Sequence, residues 1–493
     1  MSKKKVIVIG SGFAGISAAS FLAKAGYDVT VLEKLDTPGG RARQLIRDGF
    51  TFDMGPSWYW MPDIFERYFE QFGKKTSDYY ELIRLDPSYS IFFGKNNEML
   101  VPANLDEFYA MFEKYEPGSS VRLRKFLKES AYKYDVGIKD FVFRPGNSIA
   151  EFIDPRVIKS VFNLHMFQSI AKYIRKYFKH PELIKLLEFP VLFLGATPQN
   201  TPALYSLMNY ADITLGTWYP KGGMYSIVKG MVSLAEELGV KFEYNQEVTK
   251  LIMNGNNIQK VRTKSSEFVA DIVVGGADYH HIEQHLLDAP FRMYSESYWD
   301  KRVLAPSSIL YYIGVKGKLK NIQHHTLFFD APFEIHAKDI YENPKWPDMP
   351  LFYTSCASKT DPDCAPEGCE NMVFLIPVAP GLKEDKLILD KYFEMITARF
   401  DALTGNDISS NIIFRQDYGY SNFVEDYNSL KGNAYGLANT IMQTAFLKPK
   451  MVSRKVGNLY YTGQLTTPGP GVPPSLISGE VVSREIFKRH HHN

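Results

Sequence analysis

The first forty residues alternate between two short apolar runs and one segment with helical spacing. Residues 4–10, KKVIVIG, form a continuous β-branched run closed by glycine, which is typical of a buried parallel strand. Residues 13–26, FAGISAASFLAKAG, have helical spacing and small side chains, with Gly26 as a C-terminal cap. A second apolar run, YDVTVLEK, follows at once. This order predicts a strand–helix–strand unit of a parallel sheet.

The pattern changes several times along the rest of the chain. From about residue 65 to 210 the segments are long, amphipathic and rich in lysine and aromatic residues, which predicts a mostly helical region with a few strands. Residues 224–239 predict a helix, followed by two alternating strands joined by a turn at Asn254 and Gly255. Strands and helices interleave from about 291 to 450, and the chain closes with a strand, a Pro/Gly loop and a helix.

Strand and helix patterns typical of a parallel sheet therefore lie at both ends and in the middle of the chain. The 493 residues exceed the roughly 250–300 at which one core stops growing, so we expect several structural units. We predict an α/β protein with a discontinuous, Rossmann-like dinucleotide-binding domain formed by residues 1–75, 215–290 and 450–493. Residues 76–214 are expected to form a mostly helical substrate- and membrane-contact region, and residues 291–449 a substrate-binding domain of mixed sheet and helices.

Composition and charge narrow the classes of function. Hydrophobic residues make up 45% of the chain and charged residues 23%, as in a folded globular protein. The net charge of +2 gives no electrostatic case for nucleic-acid binding. Cys356, Cys364 and Cys369 lie in one polar segment that we expect to be a surface loop. They lack the spacing and the fourth ligand of a zinc site, so we expect free thiols and no metal.

Gly10, Gly12 and Gly15 have the spacing G-x-G-x-x-G between the first strand and the first helix. Gly10 permits the tight turn, Gly12 lets the backbone approach a pyrophosphate, and Gly15 allows the helix to pack closely on the strand. The helix N-terminus offers N–H groups and a positive dipole end to phosphates. Glu33 ends the second strand, where a carboxylate accepts hydrogen bonds from ribose hydroxyls. A structural glycine turn with an unrelated glutamate is the competing interpretation, and the full context weighs against it.

Two segments after Glu33 bear on which dinucleotide is bound. The segment PGGRA, residues 38–42, places a second glycine turn and Arg41 near the expected pyrophosphate. The segment FDMGPSW, residues 52–58, offers Gly55 and Pro56 as backbone against which a flat ring could pass. The glycine motif itself does not choose between FAD and NAD, and these segments favour FAD without deciding the matter.

The C-terminal run GQLTTPGPGVPPSLISG adds a motif of narrower distribution. With it, the sequence resembles the bacterial and fungal phytoene desaturase family, FAD-dependent carotenoid desaturases within the wider group of amine oxidase-like flavoproteins. The shared stretches span the chain and include GTWYPKGGMYSIVKGMVSLAEELGVKFEYNQEV and TDPDCAPEG. The resemblance implies a Rossmann-like FAD-binding fold of the amine oxidase and phytoene desaturase type, with non-covalently bound FAD as cofactor.

The resemblance also implies positions for the parts of FAD. Val248 is expected to hold the adenine edge through its backbone, and Gly463 and Gln464 to approach the ribityl and pyrophosphate region. Residues 471–473 are expected beside the isoalloxazine, at a helix N-terminus whose dipole favours negative charge on the reduced flavin. The complete set of residues expected to bind FAD is Gly10, Gly12, Phe13, Ala14, Gly15, Glu33, Lys34, Gly40, Arg41, Gly55, Pro56, Ser57, Val248, Gly463, Gln464, Gly471, Val472 and Pro473.

By this resemblance the protein is expected to desaturate a long apolar carotenoid by hydride transfer to flavin N5. The sequence looks most similar to the branch that acts on 1′-hydroxylated carotenoids and introduces the 3,4 double bond. A phytoene desaturase, a carotenoid isomerase, an amine oxidase-like enzyme and a non-enzymatic lipid carrier remain alternatives. The C-terminal loop departs from the usual family pattern, because Thr467 stands where the family has histidine.

The acceptor of the substrate proton is not identified by the sequence. No Ser/His/Asp or Cys/His arrangement stands out. Two adjacent histidine pairs, at residues 280–281 and 324–325, are the most conspicuous of the eleven histidines. For each pair, a surface position or a hydrogen-bonded core position is the more common role, and catalysis is the alternative.

Because the implied substrate is insoluble in water, we expect a cytoplasmic protein that associates peripherally with a membrane. No signal peptide and no transmembrane helix are expected. Residues 157–185 mix aromatic and basic side chains, which suits an interfacial helix at an anionic membrane. The same pattern fits a helix that packs its aromatic residues into the core and leaves its lysines in solvent, and the sequence does not choose between the two.

Overall fold

The computed structural model describes residues 3–148, 151, 168–194 and 197–490. Its strands are β1 Lys5–Ile9, β2 Asp28–Leu32, β3 Gln44–Arg47, β4 Phe50–Asp53, β5 Leu82–Arg84, β6 Tyr89–Gly94, β7 Asn97–Val101, β8 Trp218–Pro220, β9 Lys241–Glu243, β10 Val248–Asn254, β11 Asn257–Thr263, β12 Glu267–Val269, β13 Ile272–Gly275, β14 Ser307–Lys316, β15 His325–Phe328, β16 Phe352–Ser355, β17 Cys369–Val378, β18 Ile412–Tyr418 and β19 Leu459–Tyr461. Its α-helices of five or more residues are α1 Phe13–Lys24, α2 Pro62–Glu70, α3 Leu105–Tyr115, α4 Ser119–Val136, α5 Ile170–Ile174, α6 Pro181–Glu188, α7 Tyr225–Glu237, α8 Glu296–Asp300, α9 Phe333–Tyr341, α10 Lys386–Thr404, α11 Tyr420–Tyr427 and α12 Val472–His490.

A parallel sheet of five strands brings together distant parts of the sequence. Its order is β19-β13-β1-β2-β9, so β1 lies at the centre and pairs with β2 and β13. Helix α12 packs against α1, and a methyl group at Gly479 would lie 2.5 Å from the Ala14 carbonyl oxygen. The α/β fold and the first strand–helix–strand unit are confirmed, because β1, α1 and β2 occupy the predicted stretches.

A small antiparallel sheet, β10-β11-β12, follows β9. Asn254 pairs with Asn257 at the end of the β10–β11 ladder. The turn residues are therefore Gly255 and Asn256, one position later than the predicted Asn254 and Gly255. The left-handed backbone of Gly255, with φ of +57°, provides the reversal.

The third sheet is mixed, with the strand order β18-β14-β17-β16-β15-β6-β7. Its longest ladder joins the ten residues of β14 to the ten of β17. β6 and β7 come from the region predicted to be mostly helical, and β6 reaches this sheet by parallel pairing with β15. The predicted domain boundaries stay a prediction, since strands from both sides of residue 214 share this one sheet.

The aromatic residues of the stretch 168–185 belong to the protein core. Tyr173 and Phe178 are each 1% exposed. Both rings pack on Phe126 of α4, at centroid distances of 5.7 and 5.9 Å. Lys172 is exposed to solvent. For these residues the core interpretation holds; residues 157–167 of the predicted interfacial helix lie outside the described part of the chain. None of the helices in the described part is long and apolar enough to cross a membrane.

The cysteine-containing segment is more buried than predicted. Cys356 is fully buried and Cys364 is 5% exposed, while Cys369 opens strand β17. All three are free thiols. The prediction of a surface loop was wrong because Cys364 packs near the hydroxyl of the buried Tyr219, 3.3 Å from its sulfur.

Candidate active site

The glycine loop between β1 and α1 leaves open space on one side only. A side chain on Gly10 (φ +94°) would lie 3.2 Å from the backbone nitrogen of Ala277, and one on Gly15 would collide with the Gly10 carbonyl. A side chain on Gly12 would meet no atom within 4 Å. The loop is therefore packed against the protein at its first and third glycines and open at the second. This is the shape that a pyrophosphate requires.

Glu33 follows β2 and is 6% exposed. One oxygen, Oε2, accepts hydrogen bonds from the backbone N–H and the hydroxyl of Ser11, at 2.8 and 2.6 Å. The other, Oε1, accepts from the N–H of Leu35 at 3.0 Å. The carboxylate thus ties the end of β2 to the glycine loop, and it still has unused lone pairs for ribose hydroxyls.

Two further turns converge on the glycine loop. The N–H of Gly39 donates to the Ser11 carbonyl at 2.9 Å, and a side chain on Gly40 would lie 3.4 Å from the Cα of Gly12. The turn after β4 lies against the same segment, because a side chain on Gly55 would collide with the carbonyl of Arg41. Close backbone approach explains glycine at each of these positions.

The C-terminal loop completes the site from the other end of the chain. Gly463 follows β19 and donates its N–H to the Ser478 hydroxyl in α12, at 2.9 Å. Gly471 (φ +114°) immediately precedes the N-terminus of α12, and its carbonyl accepts from the N–H of Ser475. The positive end of this helix therefore faces the same space as the N-terminus of α1.

These turns and helix ends enclose a cavity of about 280 Å³, which extends from the edge of the parallel sheet to the mixed sheet. Of the residues predicted to bind FAD, Gly15, Ser57 and Pro473 do not line it: Gly15 packs under the loop and Ser57 lines a smaller adjoining cavity. The lining includes the other predicted residues: Gly10, Gly12, Phe13, Ala14, Glu33, Lys34, Gly40, Arg41, Gly55, Pro56, Val248, Gly463, Gln464, Gly471 and Val472. Their individual roles in binding FAD stay predictions.

The charged groups of the cavity include Arg41 and Asp278. One nitrogen of Arg41, Nη2, donates to the Ser429 hydroxyl at 3.1 Å and to the Asn433 carbonyl at 3.3 Å. Burial lowers the pKa of Arg41, and Asp278 opposes this shift. Burial likewise raises the pKa of Asp278, opposed by Arg41. The Nε atom of Arg41 is buried without a hydrogen-bond partner in the described part of the chain.

A dinucleotide fits this donor set. An unpartnered guanidinium N–H is available to an anionic oxygen, the space over Gly12 accepts phosphate, and Glu33 is available to ribose. The mixed sheet contributes two leucines, Leu310 and Leu375, and Ser308 to the lining, which also includes Pro56. The residues present therefore match FAD, with its polar dinucleotide part and its flat ring.

Several lining residues have no counterpart among the sequence predictions. They include Asp278 and Tyr279 after β13, Leu310 and Leu375 on the mixed sheet, and Tyr427 and Tyr435 near the end of the central region. The segment GGAD after a buried strand gave a signal for Asp278, since the ends of parallel strands meet at one edge. The leucines and tyrosines carry no such signal, because only tertiary packing brings them to the cavity.

The two histidine pairs lie in different environments. His280 is bonded to Glu296 near the surface, at 2.9 Å, and the neighbouring His281 lines the main cavity. His324 and His325 are buried in the mixed sheet, 5% and 0% exposed. His324 lines the smaller cavity, of about 20 Å³, which is enough for a single water.

Comparison with known proteins agrees with this architecture. The family model of flavin-containing amine oxidoreductases matches residues 13–487. The chain therefore belongs to this family, and it is an FAD-dependent oxidoreductase.

Similarity to individual relatives extends over the whole chain. The chain is 41% identical to the carotenoid 3,4-desaturase of Haloarcula japonica over 99% of each chain. It is 30% identical to the zeta-carotene-forming phytoene desaturase of Myxococcus xanthus, over 98% of this chain and 94% of that protein. An oxidoreductase from Methanosarcina mazei, 16% identical, shares the fold with a TM-score of 0.66 over 97% of this chain and 100% of its own.

Proposed function

We propose that this protein is a carotenoid desaturase that introduces the 3,4 double bond of a 1′-hydroxylated carotenoid. The observation that carries the proposal is the 41% identity, over 99% of both chains, to a carotenoid 3,4-desaturase. Phytoene desaturation is the second candidate, supported by the 30% identity to a phytoene desaturase. Both candidates require the same reaction class, the removal of two hydrogens from an apolar chain.

A cluster of buried aromatic rings packs around the turn at Gly55 and Pro56. Trp58 follows the cavity-lining turn at Gly55 and Pro56. Its ring lies 5.3 Å from that of Tyr89, 5.8 Å from Phe189 and 5.6 Å from Tyr353. Apart from Tyr353, which lines the smaller cavity, these rings line neither cavity, so they hold the turn in place through aromatic packing.

Some residues of the cavity would bind FAD, and others would contact the substrate. Glu33, held by Ser11, and Arg41 would bind the dinucleotide part of FAD. The N-terminus of α12 would favour negative charge at the ring. When bound, FAD supplies the two-electron acceptor for the hydride that leaves the substrate. Leu310 and Leu375 would contact the hydrocarbon and exclude water from it.

The C-terminal loop offers no titratable side chain at the position of the usual family histidine. The hydroxyl of Thr467 donates instead to the Pro145 carbonyl at 3.0 Å. This bond ties the loop to the segment before residue 148. We assign Thr467 a structural role in the loop.

Pigment analysis tests the function directly. The gene, expressed in cells that accumulate 1′-hydroxylated carotenoids, lycopene or phytoene in separate strains, is expected to add one double bond to the hydroxylated pigment. Conversion of phytoene alone would favour the second candidate. Unchanged pigments in all three strains, with FAD-loaded protein present, would rule out both.

We also propose that the protein is cytoplasmic and docks peripherally on a membrane. Val303, Met442 and Leu447 are 43%, 74% and 38% exposed, and Gln443 bonds both backbone groups of Val303. Gln443 thus ties the loop that carries Met442 and Leu447 to the backbone of Val303. Thr444, within the same loop, bonds Tyr205 of the segment that pairs with the residues before α5.

The bond between Tyr205 and Thr444 and the bridge between Ser169 and Pro202 connect this loop to the α5 region, which carries exposed lysines. Lys172 and Lys176 are exposed, whereas Arg175 forms an ion pair with Glu188. Exposed apolar side chains together with exposed basic ones suit contact with an anionic membrane. The contact would be made by side chains projecting from the folded surface, because the aromatic residues of this region are buried.

Reversing the two exposed lysine charges is expected to weaken vesicle binding. Lys172→Glu with Lys176→Glu should lower the partition coefficient for phosphatidylserine-containing vesicles at least tenfold, at about 1 kcal/mol per basic residue near the surface. Sedimentation with vesicles measures the effect. Lys383→Glu with Lys386→Glu carries the same change of charge elsewhere on the surface. An equal loss in this control, or no loss in the first variant, would contradict the proposed docking face.

A further inference from the structure

A chain of hydrogen-bonded side chains begins where the two cavities meet. Gly55, Leu310 and Leu375 line both cavities, and Ser57 lines the smaller one. The Ser57 hydroxyl lies 2.9 Å from the hydroxyl of Tyr353. The Tyr353 hydroxyl in turn lies 2.6 Å from Nδ1 of His325. Two hydroxyls thus connect the smaller cavity, which adjoins the flavin cavity at these shared residues, to a buried imidazole.

The environment of His325 is unusual for a structural histidine. Its side chain is fully buried, and its ring stacks on that of Trp58 at 4.1 Å, with an angle of 12° between the planes. The second ring nitrogen, Nε2, has no hydrogen-bond partner in the described part of the chain. Burial, and then the neighbouring His324, hold the pKa of His325 well below its ordinary value. The resting imidazole is therefore neutral, with a lone pair on one nitrogen.

We propose that His325 is the terminal acceptor of the proton released during desaturation, reached through Ser57 and Tyr353. The inference rests on the proposed function. One substrate carbon loses a hydride, and its neighbour loses a proton while the electrons of that C–H bond form the new double bond. The proton passes to the Ser57 oxygen as the Ser57 hydrogen moves to Tyr353 and the Tyr353 hydrogen moves to Nδ1 of His325. Each oxygen ends with the single hydrogen that it started with.

A weak base is sufficient for this step. Loss of a hydride next to a conjugated chain leaves positive charge spread over that chain, which makes the neighbouring C–H bond strongly acidic. The face of the Trp58 ring stabilises the imidazolium that forms, since a cation within about 6 Å of an aromatic centroid is attracted to it. A low resting pKa then favours return of the proton to solvent between turnovers.

Lys448 is the competing acceptor. It is 2% exposed, burial lowers its pKa to about 7, and its Nζ has no hydrogen-bond partner in the described ranges. Its Nζ lies 3.1 Å from where a side chain on Gly469 would begin, in the C-terminal loop. No hydrogen-bonded path links it to a cavity-lining side chain among the residues described, whereas such a path reaches His325. The geometry therefore favours His325 over Lys448 as the proton acceptor.

Two variants interrupt the chain at different points. His325→Gln keeps an acceptor for Tyr353 but cannot hold the proton, and Tyr353→Phe removes one oxygen. Each is expected to slow product formation per bound FAD by roughly 10²–10⁴-fold. The double variant is expected to be no slower than the slower single variant, because both changes break one path. Anaerobic single-turnover quenching with the FAD-loaded protein and a 1′-hydroxylated carotenoid measures these rates.

An isotope effect separates proton transfer from a structural defect. Deuterium at the carbon that loses the proton should have a larger effect on the rate in His325→Gln than in the wild type, because proton loss becomes rate-limiting. His336→Gln is the matched control: His336 is 4% exposed, and its two nitrogens contact the Pro377 carbonyl and the Leu351 N–H. This control is expected to lower thermal stability while leaving both the rate per bound FAD and the isotope effect unchanged.

Three outcomes would overturn the inference. One is a wild-type rate in both His325→Gln and Tyr353→Phe. Another is a lower rate without a larger isotope effect, which indicates a structural role. The third is an isotope effect that increases in Lys448→Met but not in His325→Gln. That result would assign the proton to Lys448. If the wild type itself forms no product from any carotenoid, the proposed function fails instead, so the two failures are distinguishable.

Discussion

Replacing Glu33 by arginine is expected to give a colourless protein that does not retain FAD through purification. The carboxylate holds the glycine loop through both polar groups of Ser11 and is positioned to accept hydrogen bonds from ribose. Removing one partner of a buried, hydrogen-bonded charge costs about 3–5 kcal/mol, which corresponds to more than a hundredfold in Kd. A positive side chain at a site with 6% exposure adds a steric conflict.

Two further variants test whether the loss of FAD depends on the charge and position of Glu33. Glu33→Gln preserves the shape of the side chain and is expected to weaken FAD binding about tenfold. Glu243→Arg makes the same charge change at an exposed position at the end of β9 and is expected to bind FAD normally. Isothermal titration of FAD-depleted protein measures the three affinities. Full flavin occupancy in Glu33→Arg would refute the assignment of this residue.

Alanine at Gly15 and at Gly12 is expected to have opposite consequences for folding and for FAD binding. At Gly15 the added methyl group would collide with the Gly10 carbonyl, a backbone atom that cannot move without breaking the β1–α1 turn. We expect a loss of about 3 kcal/mol or more in the free energy of unfolding. At Gly12 the backbone has an ordinary φ of −72° and no atom lies within 4 Å of the new methyl group. That change should be nearly neutral for the FAD-free protein.

FAD binding distinguishes the two glycines further. The open space over Gly12 is where the pyrophosphate is expected, so its alanine variant should fold normally and bind FAD at least tenfold more weakly. Thermal unfolding of the FAD-free proteins and titration with FAD measure the two properties separately. A Gly12→Ala protein with unchanged FAD affinity would show that the phosphates lie elsewhere.

Local patterns were sufficient to predict the nucleotide-binding part of the fold. The runs of β1 and β2, the helix between them and the final strand–loop–helix are each defined by consecutive residues, so periodicity and glycine placement locate them. The predicted hairpin was correct to within one residue, because its Asn-Gly sequence is a local signal. For the same reason local patterns pointed to the glycines of the first loop and to Glu33 and Arg41, whereas Gly463 and Gly471 came from the family resemblance; their roles in binding FAD stay predictions.

Features that depend on contacts between residues far apart in the sequence were not predicted. β6 carries an ordinary strand pattern, and nothing in it indicates that its partner is β15, more than two hundred residues away. The aromatic and basic pattern of residues 168–185 fits two environments, and packing of Tyr173 on α4 decides for the core. The Ser57–Tyr353–His325 chain likewise joins three distant segments. In the sequence, His325 belonged to one of two conspicuous histidine pairs, and no neighbouring residue indicated a role for it.

The central claim is that distant segments of the chain converge on one FAD, next to a space suited to an apolar polyene. The most direct test mixes the FAD-loaded protein, without oxygen, with vesicles containing a 1′-hydroxylated carotenoid. The flavin absorbance should bleach in proportion to the carotenoid consumed, with one desaturated product per reduced flavin. Flavin that stays oxidised while the carotenoid is bound or isomerised would contradict the account.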